Sequence, residues 1–474
     1  MSKFHLELGS RRGWHKRIDR QNPGGRPSAL VIALEELDMM FRALVSTVFN
    51  CAPNSGHPGG SLSAGPLVSG LLYAGLDYEL SQPNRKGADQ IVFAAGHKAL
   101  GLYAAWALRD ELARLFAPKL LPETETDRLR LEDLLGFRRN PVRPTALQKS
   151  LRSKFLDGHP TPATPFVPLA TGASGVGLGA ACGLALGAMD LYPNGPPQVH
   201  MIEGEGGLTP GRVAEAMSAS AIAGLHNLVL HIDFNQASID SDQVCRQDEQ
   251  PGDYVPWNPA ELARFHDFNV LEVADGHSFE QVLKAQALTR EISNDQPTAI
   301  VYRTVKGYRY GIEGRAAHGA GHACCSEGFY QTLGELESAM GKTLPRLGAD
   351  PNSEALDEHF WDLLQAIRSH MATQGEILAP LVENLVQAHR RLDKRSRKPK
   401  PNRPRYEDLF FPSRLEPPEK LRLEPGQSIA LKDALGLGLA ELNHKSGGAL
   451  ILSSADLAGS TSIAKAAEAF GAGF

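Results

Sequence analysis

The sequence predicts an α/β fold in which a parallel sheet carries helices on both faces, followed by the start of a second α/β domain. Over residues 28–328, helical patterns alternate with short runs rich in β-branched residues. This alternation is typical of βαβ units, which place parallel strands in one sheet and the connecting helices on its two faces. The predicted strands are residues 91–93, 199–202, 228–232, 270–273 and 298–305.

The helices of this region are predicted from apolar residues that recur at helical spacing. Residues 29–49 form a long amphipathic pattern, residues 211–223 follow one predicted strand, and residues 278–292 separate the last two strands. Ligands of open parallel sheets bind at the carboxyl ends of the strands. The turns that follow the predicted strands are therefore the expected position of a binding site.

Length and composition allow a large enzyme and exclude several other classes. With 474 residues, of which 42% are hydrophobic and 22% charged, the chain can bury two or three domain cores. The net charge of −5 gives no overall attraction to nucleic acid or to an anionic membrane. Residues 1–26 are polar and basic, and no run of about 18 apolar residues occurs, so neither a signal peptide nor a membrane span is predicted and a cytoplasmic location is expected.

The five cysteines are distributed without a Cys-x-x-Cys pair. This spacing favours buried or incidental thiols over a disulfide framework or a zinc site.

Two further regions follow the predicted sheet, and residues 1–27 precede it as an N-terminal extension. Residues 329–427 carry a helical pattern at 358–392 and then a run rich in Arg, Lys and Pro at 390–405. That run could bind a polyanion. Because proline interrupts it repeatedly and no aromatic residue is interleaved, the pattern favours a solvated linker.

The last region, residues 428–474, has the pattern of a new α/β unit. A helix is predicted at 429–442, a strand at 449–452, a loop at 453–460 and a further helix at 462–470. Fewer than 50 residues with one strand cannot complete an open sheet. The sequence therefore predicts an incomplete domain here.

A turn with the sequence Gly204-Glu205-Gly206 is the first candidate site. It joins a predicted strand to a predicted helix, a position that offers free backbone N–H groups and a helix N-terminus to an anion. Asn235 follows the next strand, and together with Glu205 it supplies the oxygen ligands that Mg²⁺ or Ca²⁺ takes when phosphate oxygens complete the shell. The pattern predicts a clamp for a metal-bound diphosphate; an ordinary acidic turn is the alternative, because such turns are common.

Four histidines lie beside glycine or proline in predicted loops: His57, His97, His159 and His318. One histidine in a loop is usually a surface residue. Four of them at the ends of predicted elements indicate a functional site, because loops carry a large share of binding and catalytic residues.

With these motifs in order, the sequence resembles transketolase and its thiamin-diphosphate relatives from about residue 30 to the end. The motifs are Ser-Gly-His-Pro-Gly (55–59), Gly-His (96–97), Gly-His-Pro (158–160), Thr-Gly-x-x-Gly-x-Gly (171–177), Gly-acid-Gly (204–206), Asn-Leu-x-x-x-x-Asp-x-Asn (227–235), Asp-Gly-His (275–277), Lys-Gly with His-Gly (306–319) and Ser-Ala-Asp-Leu (454–457). The resemblance implies that 28–328 is the diphosphate-binding domain of a thiamin-diphosphate-binding fold and that 428–474 begins the pyrimidine-binding domain. It also implies a homodimer with the cofactor and active sites between subunits.

The resemblance assigns expected roles residue by residue. The metal, Mg²⁺ or Ca²⁺, is expected on Glu205, Asn235 and the backbone carbonyl of Ala237. The residues expected against the cofactor are His97, His159, Gly172, Gly206 and Asp456. His57 and His318 are expected to contact the sugar substrate and to move protons near the reacting carbon, with a structural role behind the site as the alternative. The residues expected at the substrate phosphate are Lys432 and Ser460.

The implied activity is transfer of a two-carbon ketol unit from a ketose phosphate to an aldose phosphate, with thiamin diphosphate stabilising the carbanion. The chain departs from the family pattern at several positions. Glu205 stands for the usual aspartate and is about 1.5 Å longer; Lys432 stands for an arginine and lacks its planar fork; Pro210 stands where the family commonly has glutamate. No counterpart of the glutamate that activates the cofactor is found.

These departures leave three hypotheses open for the function. In the first, the chain is an incomplete transketolase that is inactive alone. In the second, it is a subunit of the 2-oxo acid dehydrogenase type, which uses the same cofactor. In the third, it is a non-catalytic remnant of the cofactor-binding fold.

Overall fold

The computed structural model describes residues 9–19, 26–52, 56–245, 252–319, 321–348, 351–409, 419–454 and 456–471. Two motif residues, Ser55 and Ala455, lie outside the described residues, as does the segment 410–418 of the predicted linker. The chain forms two compact units, residues 1–398 and residues 399–474. Within the described part, no helix is both long and apolar enough to cross a membrane.

The first unit is built on a six-stranded sheet whose strands are all parallel, in the order β1-β5-β6-β4-β3-β2. The strands are β1 (His15–Ile18), β2 (Gln90–Phe93), β3 (Val199–Gly204), β4 (Leu228–Phe234), β5 (Asn269–Val273) and β6 (Thr298–Arg303). In this register Gly204 at the end of β3 lies opposite Asp233 of β4. The ends of neighbouring strands therefore meet at one edge.

Thirteen α-helices accompany the sheet in the described part of the first unit. They are α1 (Ala29–Cys51), α2 (Pro58–Ser63), α3 (Gly65–Gly70), α4 (Ala99–Phe116), α5 (Ala146–Leu151), α6 (Val176–Leu191), α7 (Gly211–Ile222), α8 (Pro259–Phe265), α9 (Phe279–Leu288), α10 (Glu327–Gln331), α11 (Gly334–Met340), α12 (Ser353–Thr373) and α13 (Gly375–Arg395).

Alternate residues of the strands point into two separate hydrophobic cores. Ile202, Val229 and Ile300 belong to the core that contains α1 and α4. Met201 and Leu230, one residue away on the same strands, belong to the core that contains α6 and α7. A strand exposes successive side chains to opposite faces, so this division shows helices on both faces of the sheet and confirms the predicted fold class.

The strand β1 was not predicted. Its sequence, His-Lys-Arg-Ile, contains a single buried residue, Ile18, and lacks the β-branched run that identifies the other strands. Among the described residues it pairs with β5 alone, at the edge of the sheet, where a charged, half-exposed strand is tolerated. Tertiary pairing, not local propensity, makes this segment a strand.

The helical segment predicted at 358–392 is observed as α12 and α13, both packed against α1. Three arginines at and beyond the end of α13 are not solvated as the linker prediction implies. Arg391 and Arg395 bind the buried carboxylate of Asp77, at 2.6 and 2.9 Å, and Arg397 binds Asp89 at 2.9 Å. This part of the basic run holds α13 against the rest of the first unit.

The second unit contains the helix α14 (Leu431–Ser446), near the predicted bounds, but its other elements differ from prediction. Residues 449–452 form no strand. In this unit the described residues offer no strand as a partner, and the backbone N–H groups of Ala449 and Leu450 instead donate to Ser446 Oγ and Asn443 Oδ1 of α14. The predicted last helix is a 3-10 turn, Ile463–Ala467.

Candidate cofactor site

A cavity of about 590 Å³ lies at the carboxyl ends of the parallel strands. Residues from the turns that follow β2, β3, β4 and β6 line it, among them His97, Glu205, Asn235 and Lys306. This is the position where open parallel sheets bind their ligands. A volume of several hundred Å³ is that of a small-molecule site.

Glu205 occupies the first position after β3, in a 3-10 turn (Glu205–Leu208) that leads toward α7. Its side chain is buried, at 2% exposure, and its two carboxylate oxygens accept from the backbone N–H groups of Asn235 and Ala237, at 3.3 and 3.1 Å. A Cβ atom placed on Gly206 would meet nothing within 4 Å, so the backbone of the turn borders open space. Through its two hydrogen bonds the side chain of Glu205 reaches the loop that follows β4.

Three candidate oxygen ligands converge on this loop. The N–H group of Ala237 donates to both Glu205 Oε1 and Asn235 Oδ1, each at 3.1 Å. The carbonyl oxygen of Ala237 accepts from Lys306 Nζ at 3.0 Å, so it already holds a cationic group. Carboxylate, amide and carbonyl oxygens are the ligands of Mg²⁺ and Ca²⁺.

The donor set fits a cation that is shared with a ligand's phosphates. Among the residues that the structure describes, no cluster of three or more His, Cys, Asp or Glu side chains could hold a metal alone. One carboxylate with two neutral oxygens leaves a hard cation incompletely neutralised, and phosphate oxygens complete such a shell. The residues present therefore fit a cation bound together with a diphosphate.

Burial dominates the ionisation of Glu205 and Lys306. Burial, with Asp233 adding to it, raises the pKa of Glu205 to about 7. Burial lowers the pKa of Lys306 to about 8. The attraction between the two side chains acts against both shifts but is outweighed by the loss of solvation. A cation bound to Glu205 would favour the ionised carboxylate.

Three histidines meet beside the cavity. The ring centroid of His57 lies 5.4 Å from that of His97 and 4.6 Å from that of His318. Burial lowers the pKa of His57 and that of His97, and it lowers the pKa of His318 to about 3, with Lys306 contributing. All three imidazoles are therefore neutral near pH 7, and each carries one N–H group and one lone pair.

The hydrogen bonds of two of these rings define their tautomers. His57 Nδ1 lies 2.9 Å from the carbonyl oxygen of His318, which can only accept, so Nδ1 carries the proton and Nε2 has the lone pair. His318 Nδ1 lies 2.6 Å from the ammonium group of Lys306 and accepts from it, so Nε2 of His318 carries the proton. One ring thus presents an acceptor at Nε2 and the other a donor.

His159 and Gly172 lie together next to the cavity. A Cβ atom on Gly96 would lie 2.7 Å from Gly172 Cα and 2.9 Å from His159 Cδ2, so the absence of a side chain at Gly96 permits this close packing. Gly172 lines the cavity, whereas the described lining does not include His159 or His57. The hydroxyl of Tyr103 donates to the carbonyl oxygen of His159 at 3.3 Å and holds that loop in place.

The remaining expected site residues belong to the second unit. Within it, Lys432 Nζ donates to the carbonyl oxygen of Ser460 at 2.9 Å, so these two residues are neighbours. Asp456 is exposed, with a backbone φ of 64°. Their expected roles at the substrate phosphate and the cofactor remain predictions.

No role was predicted for two lysines of the site. Lys306 lines the cavity and binds Ala237 and His318; its place in the Lys-Gly motif directly after a predicted strand was the available signal. Lys98, in the 3-10 turn Gly96–Lys98, also lines the cavity, and its position next to a loop histidine was a weaker signal. A lysine side chain is long, so sequence adjacency does not show which loop it reaches.

Comparison with known proteins shows what this chain is similar to. Residues 131–328 match the family model described as Transketolase, thiamine diphosphate binding domain. Human transketolase is 29% identical over 395 residues, which cover 83% of this chain and 48% of that protein. Transketolase from Mycobacterium bovis is 29% identical over 451 residues, covering 88% of this chain and 54% of the relative.

Solved structures share the fold. Transketolase from Campylobacter jejuni superposes with a TM-score of 0.60 at 24% identity, covering 92% of this chain and 58% of that one. Transketolase from Leishmania mexicana gives a TM-score of 0.58 at 22% identity, covering 91% and 57%. The chain spans about half the length of the curated relatives named above. The matches confirm the resemblance seen in the motifs: residues 131–328 match the thiamin diphosphate-binding domain of transketolase, and the chain is similar to transketolases over most of its length.

Proposed function

We propose that the chain binds thiamin diphosphate with a divalent cation at this cavity, that this cofactor site serves transfer of a two-carbon ketol unit from a ketose phosphate to an aldose phosphate, and that the chain is inactive alone. The observation that carries the proposal is the convergence of Glu205 Oε1 and Asn235 Oδ1 on the N–H group of Ala237. The relatives described above are all named transketolase, which favours ketol transfer over decarboxylation of a 2-oxo acid.

The cation, Mg²⁺ or Ca²⁺, would be held by Glu205, Asn235 and the carbonyl oxygen of Ala237. The diphosphate would complete its shell, with Lys306 as a second positive charge in the same cavity. Gly172 and Gly206 would allow the backbone to approach the ligand, because neither has a side chain. His97 lines the same wall and would lie against the cofactor.

Thiamin diphosphate, when bound, would supply the stabilisation of negative charge that cleavage of a carbon–carbon bond next to a carbonyl requires. The chain's own contribution would come from two rings of opposite character. His57 would accept a proton at the lone pair of Nε2, whereas neutral His318 would donate a hydrogen bond from its Nε2–H group and keep that proton. Lys306 maintains this difference because it holds Nδ1 of His318.

The other expected contacts rest on the resemblance, with local support. Lys432 and Ser460, adjacent in the second unit, would bind the phosphate of the sugar, and Asp456 would lie near the cofactor. His159 would support the diphosphate region through its packing on Gly96 and Gly172.

We also propose that the protein forms a homodimer through α6. This helix buries one face, but Val176 and Leu186 on its outer side are 39% and 38% exposed. Gly179, Gly183 and Gly187 recur at a spacing of four, and a Cβ atom on any of them would meet nothing within 4 Å. Small residues at this spacing allow a second helix to approach closely, and an exposed apolar helix face suits a subunit contact.

Calorimetry with thiamin diphosphate tests the proposal. We expect saturable binding in the presence of Mg²⁺ that disappears with EDTA and is much weaker for thiamin monophosphate. Binding that does not depend on Mg²⁺, or the absence of binding, would contradict the proposal.

The same preparation can be assayed for ketol transfer from xylulose 5-phosphate to ribose 5-phosphate. We expect cofactor binding without turnover, because no residue of this sequence matches the activating glutamate. Turnover would show that another group of this chain takes over that role.

A further inference from the structure

We infer that the buried ion pair between Lys98 and Asp233 positions the amide of Asn235 for the divalent cation. The inference rests on the proposed function, since it concerns how the cation site is held. The resemblance assigns no role to Lys98 or to Asp233, although Asp233 belongs to the motif at 227–235.

The pair lies directly beneath the candidate cation ligands. Lys98 Nζ is 2.5 Å from Asp233 Oδ2, and the two side chains are 2% and 0% exposed. The stem of Lys98 fits against Gly60, where a Cβ atom would lie 3.2 Å from its Cε. Asp233 is the second-last residue of β4, the strand that leads to Asn235.

Asp233 receives donors on both carboxylate oxygens. Oδ2 accepts from Ser63 Oγ at 2.6 Å and from Asn235 Nδ2 at 3.1 Å, in addition to Lys98. Oδ1 accepts from the hydroxyl of Thr304. A carboxylate bound by this many donors has one orientation, so it is a rigid acceptor for the Asn235 amide.

The orientation of Asn235 follows from these contacts. Its Nδ2 faces two acceptors, Asp233 Oδ2 and Ser63 Oγ, the latter at 3.3 Å. Its Oδ1 is consequently turned to the opposite side, where it accepts from Ala237 N beside Glu205. A flipped amide would place the Asn235 oxygen against the Asp233 carboxylate and an NH₂ group where the cation needs an oxygen.

The charge of Lys98 matters as well as its geometry. Asp233 without a cationic partner would add a second negative charge close to Glu205 and would compete for the cation. Lys98 neutralises that carboxylate and leaves Glu205 as the charged ligand. Buried ion pairs add little stability compared with apolar groups of the same size, so a role in positioning accounts better for a pair two residues from a ligand.

Two hydroxyl deletions separate positioning from structure. Ser63→Ala removes a group that contacts both Asp233 and Asn235, whereas Thr304→Val removes one that contacts Asp233 but not Asn235. With Mn²⁺ and thiamin diphosphate as the probes in calorimetry, we expect Ser63→Ala to weaken Mn²⁺ binding by roughly tenfold and Thr304→Val by less than about threefold, as supporting groups of metal ligands do. Equal effects of the two variants would overturn the inference.

The double variant Lys98→Met/Asp233→Leu tests the pair itself. It replaces both charges by apolar groups of similar size, so the melting temperature should lie above that of Lys98→Met, which leaves one buried charge unpaired, while Mn²⁺ affinity falls by roughly tenfold or more. Affinity within about threefold of the wild type in the folded double variant would mean that the pair is structural only. If the double variant does not fold, the comparison of the two hydroxyl deletions decides.

The wild type distinguishes this inference from the proposed function. Cofactor binding by the wild type with unchanged affinity in these variants refutes the positioning role alone. No binding of Mn²⁺ and thiamin diphosphate by the wild type refutes the proposed function and the inference with it.

Discussion

His231 and Asp233 lie two residues apart on the same face of β4, and both are fully buried, but they belong to different networks. His231 lies in the middle of the strand and forms hydrogen bonds with His200 and with the hydroxyl of Tyr302, each at 2.9 Å. Asp233 lies at the carboxyl end of the strand. Its charge is matched there by Lys98, and it accepts a hydrogen bond from Asn235 beside the cavity.

The difference shows how position along a strand separates stability from function. The histidine network consists of neutral groups enclosed by the sheet and the core. The Asp233 network is charged and borders the site where a ligand would bind. We therefore expect changes around His231 to alter stability alone and changes around Asp233 to alter both stability and cofactor binding.

The largest effect on stability is expected from Lys98→Met. It leaves the buried carboxylate of Asp233 without its cationic partner, which should lower the free energy of unfolding by about 3–5 kcal/mol. Urea unfolding measures this loss. As a control, Arg17→Met breaks an ion pair whose side chains are 66% and 63% exposed, and it should change the unfolding free energy by less than about 1 kcal/mol. A loss as small as the control's would show that the buried pair is not isolated from solvent.

The histidine network should make the fold sensitive to acid. Burial lowers the pKa of His200 to about 4 and lowers that of His231 well below its usual value. The unfolded chain therefore binds more protons than the folded chain as the pH falls below about 6.5. Stability is fully present above that pH and declines toward pH 4, with His200 contributing on the order of 3 kcal/mol.

Urea unfolding between pH 4 and pH 7 measures this dependence in the wild type and in His200→Phe. The variant should lose stability less steeply with falling pH than the wild type. Identical slopes would contradict the assignment of the acid sensitivity to this network.

The smallest effect is expected from Tyr302→Phe. The variant removes the hydroxyl that bonds His231 and so should lower the unfolding free energy by about 1–2 kcal/mol. Calorimetry should find its affinity for Mg²⁺ with thiamin diphosphate unchanged. A marked loss of affinity for the cofactor would show that the His231 and Asp233 networks are coupled along β4, which would contradict their separate roles.

The sequence predicted most of the sheet because five of its six described strands carry β-branched residues in short apolar runs. Observed strands β2 to β6 lie within two residues of their predicted ends, and the Gly204–Gly206 turn lies at the predicted edge. The edge strand β1 escaped prediction because its charged residues are ordered by pairing with β5. The predicted strand at 449–452 was wrong, because side chains of α14 bind the backbone N–H groups there.

The candidate site could be predicted only in part. Glycine-flanked loops after strands located Glu205, Asn235 and the histidines. The contributions of Lys98 and Lys306 depend on contacts between residues more than 60 positions apart in the chain, 135 for Lys98 with Asp233 and 69 for Lys306 with Ala237. Such contacts follow from the packing of the loops, which no local pattern reveals.

The central claim is that Glu205 holds the cation that binds thiamin diphosphate, and one paired measurement tests it. Glu203 is a matched control, since it is also a buried glutamate that lines the cavity but does not bond the loop after β4 in the described structure. In calorimetry with thiamin diphosphate and Mg²⁺, we predict that Glu205→Ala loses affinity by on the order of 100-fold or more, while Glu203→Ala stays within about threefold of the wild type. Wild-type affinity and unchanged Mg²⁺ dependence in Glu205→Ala would contradict the account.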